Sequence, residues 1–363
     1  MLRVGLLINP IAGIGGEAGF KGSDQTWQAA LQQGFQPHAT ERARRFVQAV
    51  AGDVHWMTVP GAMGLPELPC GDGAAKPLGQ TTPEDTRVAA AAMLGRVDLL
   101  CFVGGDGTAT DIAAAVEQRL PCLGIPAGVK ITSAVFAHDP EEAAWLVANL
   151  RPGFDTVARD VTDLNEEAYR EGRLETRLTG SLRVPLSPAV QGAKVATTHD
   201  TPLEPLVEQV LADWDPDAAY LVGAGSVCKA IKDQFWGKPT LLGVDAIVGQ
   251  RVVATDLDGP HVEAFLDEQQ AAGRRVRLIL STIGGQGMLL GRGTQVLTPA
   301  ALRAIGWALI TVVAPPDKLV GLPGLHVDSG DTAFDDAAPA YIRVTSGHNE
   351  TRMVRVLHGA PKT

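Results

Sequence analysis

The run Val103-Gly104-Gly105-Asp106-Gly107-Thr108 constrains this chain more than any other feature. It follows an apolar stretch, Val97-Asp98-Leu99-Leu100-Cys101-Phe102, with the composition of a buried parallel strand. It precedes residues 109–118, whose composition is helical. A strand that passes through glycines into a helix exposes backbone N–H groups at the first helical turn, where phosphate oxygens bind favourably. The glycines let a ligand approach the backbone and permit angles that a Cβ forbids. A carboxylate among such glycines would repel a phosphate unless an acceptor hydroxyl or a metal ion lay between them. The pattern therefore points to phosphoryl transfer, with Asp106 as base or metal anchor.

The elements around this turn predict a parallel sheet. Leu2–Ile8 reads as a first strand, followed by the loop Asn9-Pro10-Ile11-Ala12-Gly13-Ile14-Gly15-Gly16. Glu41–Val50 has helical composition, with Phe46, Val47 and Val50 on one face, and His55–Val59 is a short strand. Thr82, Pro83 and Asp85 have the spacing of a capping box with proline in the first turn. Cys122–Ile125 is a further strand, and Asp139 caps a helix running to Leu150. Strand–helix alternation at this spacing argues for a sheet covered on both faces, with ligands at the carboxyl ends of its strands. The expected fold class is α/β: an N-terminal parallel-sheet nucleotide-binding domain over residues 1–150, then a mixed α/β, β-rich domain over 151–363.

From Arg151 the texture changes. Residues 151–200 are polar and read as a linker into the second domain. Tyr220–Val222, Leu241–Ile247, Val252–Asp256, Arg275–Thr282 and Ala308–Val313 are strand candidates, and Val262–Ala272 and the segment after Thr298-Pro299 are helix candidates. Several strands end in glycine turns: Gly223-Ala224-Gly225-Ser226, Ile283-Gly284-Gly285-Gln286-Gly287 and Gly291-Arg292-Gly293. Tyr341–Thr345 and Met353–Leu357 read as a terminal hairpin whose strands could pack back on the N-terminal domain.

Composition narrows the partners. A net charge of −10 argues against nucleic acid or an anionic membrane surface. The four cysteines lack metal-ligand spacing; Cys101 and Cys122 sit in apolar runs as core thiols, consistent with a reducing cytoplasm. The opening apolar run is too short to span a membrane, and no later segment is long enough.

The motifs resemble those of the ATP-NAD kinase family, whose wider group includes diacylglycerol and sphingosine kinases. Gly104-Gly105-Asp106-Gly107-Thr108 resembles the family's Gly-Gly-Asp-Gly-Thr element, and Asn9-Pro10-x-x-Gly13 resembles its Asn-Pro loop. Gly128-Val129-Lys130-Ile131-x-Ser133-Ala134-Val135-Phe136-Ala137 resembles the segment that follows. The stretches around Asp245, 283–287, 291–295 and Val327-Asp328-Ser329-Gly330-Asp331 resemble a branch described as acetoin-catabolism protein X. The resemblance implies ATP (or polyphosphate) as donor, Mg²⁺, and NAD as acceptor. Asp106 would activate the adenosine ribose 2′-hydroxyl, and Gly104, Gly105, Gly107 and Thr108 would contact phosphates. Gly225-Ser226 would stand for a later glycine–serine–threonine element, with Val227 in the threonine position. Asn165-Glu166 is the one candidate for the family's Asn-Glu motif, in a charged run rather than after an apolar strand. A homo-oligomer of one chain is also implied.

Each motif has a plainer reading. Asp106 could cap its helix, and Asn9 could close an Asx turn. Asp111 could serve the helix dipole, and Lys130 could be solvated. Gly284, Gly285, Gln286 and Arg292 could line a ligand or merely form tight turns, Arg292 being suited to transferring phosphate charge. Asp328 and Asp331 could hold Mg²⁺ or only shape a turn. Asp245 and Asp256 end apolar runs with the same ambiguity. No Gly-x-Gly-x-x-Gly with dinucleotide spacing follows the first strand, and no Walker motif occurs. The rivals are a related kinase with a sugar, polyol or thiamine-type acceptor, a non-catalytic nucleotide-binding regulator, and an oxidoreductase.

Overall fold

The computed structural model describes residues 1–19, 27–71, 75–128, 131–164, 176–192 and 201–359. The chain divides into two compact units. Met1–Gly15, Lys21–Lys194 and Gly359–Thr363 form the first; Gly16–Phe20 and Val195–His358 form the second.

The first unit is built on a parallel four-stranded sheet in the order β2-β1-β3-β4, with β1 Leu2–Ile8, β2 Val54–Thr58, β3 Leu99–Gly104 and β4 Cys122–Pro126. Every residue of β3 and β4 is buried, and Arg3 is the one exposed residue of β1. Such near-continuous apolar strands belong between two helical layers. Among α1 (Trp27–Gln32), α2 (Ala39–Ala49), α3 (Pro83–Ala92), α4 (Asp106–Val116) and α5 (Pro140–Asn149), α2 packs with α5 and α3 with α4. Right-handed crossovers between strands in this order put one pair on each face. Phe46 stands edge-on to Trp56, and Phe102 edge-on to Phe136 at 5.3 Å. The three fully buried rings, Phe46, Phe102 and Phe136, contribute roughly 1.5–3 kcal/mol each by transfer.

Helix starts follow the local chemistry. The Thr82 hydroxyl accepts the Asp85 amide, Asp85 accepts the Thr82 amide, and Pro83 opens α3. Asp139 accepts the Glu142 amide at 2.6 Å to open α5.

The polar stretch after Arg151 does not read as a linker in the structure. It contains β5 (Thr156–Leu164) and β6 (Thr176–Pro185), an antiparallel pair inside the first unit that packs on α4 and β4. Its buried apolar residues are few, among them Val161, Leu182 and Val184, and Arg, Asp and Thr are interspersed with them along both strands. That dilutes the alternation that marks a strand. The segment Asn9–Gly16 is likewise packed, with residues 12–16 buried.

The second unit is one nine-stranded mixed sheet in the order β11-β13-β15-β14-β12-β10-β7-β8-β9. Its strands are β7 Ala219–Val222, β8 Val244–Val248, β9 Arg251–Leu257, β10 Val276–Ser281, β11 Met288–Leu290, β12 Ile310–Val313, β13 Leu325–Val327, β14 Tyr341–Gly347 and β15 Glu350–Leu357. Alternate residues enter two separate cores: Leu221, Leu278, Leu280 and Val312 in one, Val222, Ile279 and Val313 in the other. The period of two thus covers both faces. Helices α6 (Glu204–Ala212) and α7 (Ser226–Lys232) serve the second core; α8 (Gly259–Ala271), α9 (Pro299–Ile305) and α11 (Thr332–Asp336) serve the first, and the short α10 (Pro316–Leu319) follows β12. The terminal hairpin, β14–β15, lies within this sheet, while Gly359 belongs to the first unit and donates its amide to Asp139. Among the described residues, no helix is long and apolar enough to cross a membrane.

Candidate functional site

In the first unit, three turns meet at the carboxyl ends of β1, β3 and β4. Parallel register pairs Ile8 with Val103 and Gly104 with Pro126, so the Asn9, Gly105 and Ala127 turns leave the sheet side by side. The Asn9 side chain ties the first two together. Its Oδ1 accepts the Ile11 amide at 3.3 Å, an Asx turn, while its Nδ2 donates to the Thr108 hydroxyl at 2.9 Å. The Ala127 and Gly128 amides both donate to the Gly104 carbonyl.

Gly104 and Gly105 serve space rather than angle. None of Gly104, Gly105 and Gly107 has positive φ, contrary to the expectation from sequence. A Cβ at Gly104 would collide with the Thr108 side chain, which folds back over it, and one at Gly105 would touch Gly128. Gly107 is exposed, with nothing within 4 Å of where its Cβ would be. Gly13 does need its freedom: φ is +85°, and a Cβ would lie 2.6 Å from the Ala127 carbonyl oxygen.

Asp106 is the first residue of α4 and is buried. Its carboxylate does not cap its own helix. The Thr132 amide and hydroxyl both donate to Oδ2 at 2.7 Å, and the Ser133 amide donates to Oδ1 at 3.1 Å. Burial pushes this carboxyl above the ordinary carboxylate range, with the Ser133 and Thr132 hydrogen bonds pulling back. The Thr132 hydroxyl lies 2.8 Å from that of Thr162; because it donates to Asp106, Thr162 donates to it. Ser133 and Thr162 are joined by two bonds: the Ser133 hydroxyl accepts the Thr162 amide and donates to the Thr162 carbonyl, both at 3.0 Å. Thr162 reaches this position at a register shift in the β5–β6 pair, where Val161 faces Gly180 and Thr162 faces Leu178. The extra residue, Thr179, turns its hydroxyl to Thr110 of α4 at 2.8 Å. Bulges re-aim side chains in this way.

Thr132, Thr162 and Thr179 were not anticipated from sequence. Thr132 is the unspecified position of the segment 128–137, and the other two lie in the stretch read as linker. The one available signal was the density of Thr and Ser on either side of Asp106. Asp111 is not in this cluster; it is held by Arg87 at 2.6 Å. Lys130, Asn165 and Glu166 lie outside the described residues.

In the second unit, Gly225 (φ +104°) and Ser226 follow β7, and Gly284, Gly285 and Gln286 follow β10. Because β7 and β10 are parallel neighbours, both turns stand at one edge. Gln286 and Arg292 are buried, whereas Gly285 is exposed. Arg292 and Asp328 follow the parallel neighbours β11 and β13, and Gly291 leaves no room for a Cβ against the Asp328 carbonyl oxygen. Asp328 is buried. Asp331 caps α11, accepting the Ala333 and Phe334 amides, and pairs with Arg303. Both of its oxygens thus have partners within the chain, as the turn-shaping reading of Asp331 expects. Asp245 is fully buried, pairs with Lys232 at 3.0 Å, and accepts both Thr240 donors and the Asp256 amide.

A doubly covered parallel sheet, with a glycine turn leading into a helix that opens on a buried carboxylate, is the α/β architecture of the first unit. The family models agree: the ATP-NAD kinase N-terminal domain matches residues 4–151 and the ATP-NAD kinase C-terminal domain matches residues 219–356. The chain belongs to the ATP-NAD kinase family. No curated protein matches it. It is similar to two solved structures, both of a candidate diacylglycerol kinase from Bacillus anthracis str. Sterne. The identities are 20% and 17%, each match covers 45% of this chain and 45% or 43% of the other, and the TM-scores are 0.26 and 0.25. The chain therefore spans less than half the length of those structures.

Proposed function

We propose that this protein is an ATP-dependent (or polyphosphate-dependent) kinase of the NAD kinase type that phosphorylates the adenosine ribose 2′-hydroxyl of NAD(H). The observation that carries the reading is Asp106. A buried carboxylate, made more basic by burial, stands at the glycine turn with its orientation fixed by three donors from Thr132 and Ser133. As the acceptor oxygen forms its bond to the transferred phosphorus, its proton passes to the Asp106 carboxylate. The bond from that phosphorus to the donor's bridging oxygen breaks, and the donor leaves as the diphosphate. Amides of Gly105 to Thr108, at the start of an eleven-residue helix, would hold phosphate oxygens. Thr108, held by Asn9, would orient them. Most of the rate enhancement would come from positioning and charge stabilisation.

Mg²⁺ would enter with the donor nucleotide and neutralise phosphate charge. Asp331 does not fit as a protein ligand for it, and no step depends on a metal held by the chain.

The test is turnover with Mg²⁺–ATP and NAD, read as NADP, for the wild type and D106N. NADP formation that falls by about 10³-fold in a folded D106N protein supports the reading, in the range for loss of a general base. NADP formation that survives in D106N removes Asp106 from the role. ATP bound and slowly hydrolysed without NADP moves the acceptor to another hydroxyl compound.

A further inference from the structure

The segment that holds Asp106 is itself held by the β5–β6 pair. Thr132, Ser133 and Ala134 are each bonded to β5. The Thr132 hydroxyl meets the Thr162 hydroxyl at 2.8 Å, the Ser133 hydroxyl bonds the Thr162 amide and carbonyl, and the Ala134 amide donates to the Asp160 carbonyl at 3.3 Å. The strand pair is in turn fixed to α4, the helix that opens on Asp106. Thr179 donates to the Val161 carbonyl at 3.2 Å, so in its contact with Thr110 of α4 the Thr110 hydroxyl is the donor. At Gly180 the strand lies so close to α4 that a Cβ would stand 3.2 Å from that of Ala113. Both anchors sit at the register shift where Val161 faces Gly180 and Thr162 faces Leu178.

The directions of these bonds matter. A hydroxyl has one proton to donate. Thr132 uses its proton on Asp106 Oδ2 at 2.7 Å, so Thr162 donates to the Thr132 oxygen. With Thr162 donating, the Thr132 proton has no reason to turn toward it. A hydroxyl that accepts a bond is also the stronger donor. The row therefore runs one way, from half-buried Thr162 through buried Thr132 to the buried acid. Burial and the Thr132 and Ser133 bonds are what act on the Asp106 carboxyl. The charged groups on the elements around α4 are engaged elsewhere or face solvent. On α3, Asp85 is bound to Lys76, and Arg87 to Glu84 and to Asp111 of α4 itself. On β5, Arg159, Asp160 and Asp163 are exposed; on β6, Arg177 is exposed and Arg183 bonds Thr156. On β3, burial holds the Cys101 thiol neutral.

We propose that Thr162 is a positioning residue for Asp106: its hydroxyl directs the Thr132 proton onto the carboxylate, and the register shift of the β5–β6 pair is what places that hydroxyl. Its bearing on turnover rests on Asp106 being the base of the proposed reaction; the hydroxyl row itself is testable without turnover. The sign follows from the chemistry. Without the Thr162 hydroxyl the Thr132 proton is free to turn away, the charged carboxylate loses part of one donor, and Asp106 takes up its proton at higher pH.

The experiment uses the full chain with its aspartate carboxyl carbons isotopically labelled for NMR. The Asp106 signal is the one missing from D106N, and its titration is followed in wild type, T162V, T162S, T132V and T132V/T162V. Valine has the shape of threonine and suits a strand, and the Ser133 bonds use only the Thr162 backbone, so they persist. T162A removes the same hydroxyl if T162V does not fold. Asp106 in T162V should titrate about half a pH unit above wild type, roughly a threefold change in its ionisation constant, because only part of one hydrogen bond is lost. T162S should titrate with wild type, and T132V should shift further than T162V. Because Thr162 acts through Thr132, the double variant should titrate with T132V rather than at the sum of the two shifts. In turnover, the acidic limb of the pH–rate profile should move toward neutral pH by the same amount.

An Asp106 titration in T162V that matches wild type overturns the proposal. So does a T162S protein shifted as far as T162V, and so does a double variant in which the two shifts add. NADP assays on the same proteins separate the two readings. A shifted Asp106 in T162V, in a protein that forms no NADP, keeps Thr162 in its role and removes the NAD acceptor. NADP formation that is lost in D106N, with Asp106 unmoved in T162V, keeps the base and removes Thr162.

Discussion

Both units end parallel strands in glycine-rich turns, yet what lies beneath the turns differs. Under the Gly104–Thr108 turn there is an acid, Asp106, that already receives three hydrogen bonds from the chain. Beyond the carboxyl end of β12 there is instead a buried base, Lys318, which donates to the Thr282 carbonyl and which burial shifts toward its neutral form. The first arrangement holds a proton acceptor ready. Glycine turns alone do not distinguish these cases; the charge packed against them does.

The largest expected effect separates the two regions directly. D106N should lower turnover by about 10³-fold while leaving the unfolding of both units nearly unchanged, which a thermal melt of the variant would check. A D106N protein that loses both turnover and stability would make Asp106 a structural residue.

A smaller effect tests the hydroxyl row. T132V removes one donor that favours the charged form of Asp106, so the carboxyl should rise further above its ordinary range. The acidic limb of the pH–rate profile should then move toward neutral pH, and kcat should fall about tenfold, on the scale of one charge-assisted hydrogen bond. T132S should restore both. A kcat loss without movement of the limb would make Thr132 a packing residue only.

Glycine substitutions sharpen the contrast between space and angle. G13A places a Cβ against the Ala127 carbonyl at a positive φ and should cost about 1–3 kcal/mol in denaturant unfolding. G107A meets nothing and should leave stability nearly unchanged, yet raise KM for ATP. A G107A enzyme with unaltered KM would remove that turn from phosphate binding.

The smallest effect concerns Asp331. D331N should shift the unfolding temperature modestly and leave the Mg²⁺ dependence of turnover where it was, because that carboxylate caps α11 and pairs with Arg303. A raised Mg²⁺ requirement would reinstate it as a ligand.

Much of the first unit was legible before any coordinates. The apolar runs of β1, β3 and β4, the Thr82–Asp85 capping box and the Asp139 cap are local signals, and each appears where the residues require it. In the second unit the longer strands were legible, but the three-residue β11 and β13, the helices α6 and α7 and the spatial strand order were not, because short runs carry little pattern and pairing partners lie far apart in sequence. The β5–β6 pair escaped notice for the same reason: its strands are polar on one side and gain their apolar surface only against α4 and β4.

The candidate site divides along the same line. Asp106 and Asn9 stand out in sequence because glycine and proline mark turns by their backbone chemistry alone. Thr132, Thr162 and Lys318 do not, since a threonine or a lysine is unremarkable until its neighbours are known. Sequence by itself determined the strand–turn–helix that carries the acid, since local propensity and apolar patterning suffice for that. Tertiary structure decided which hydroxyls hold the acid and which lysines are buried. Hydrogen bonding and desolvation depend on distances between residues that the chain brings together only when it folds.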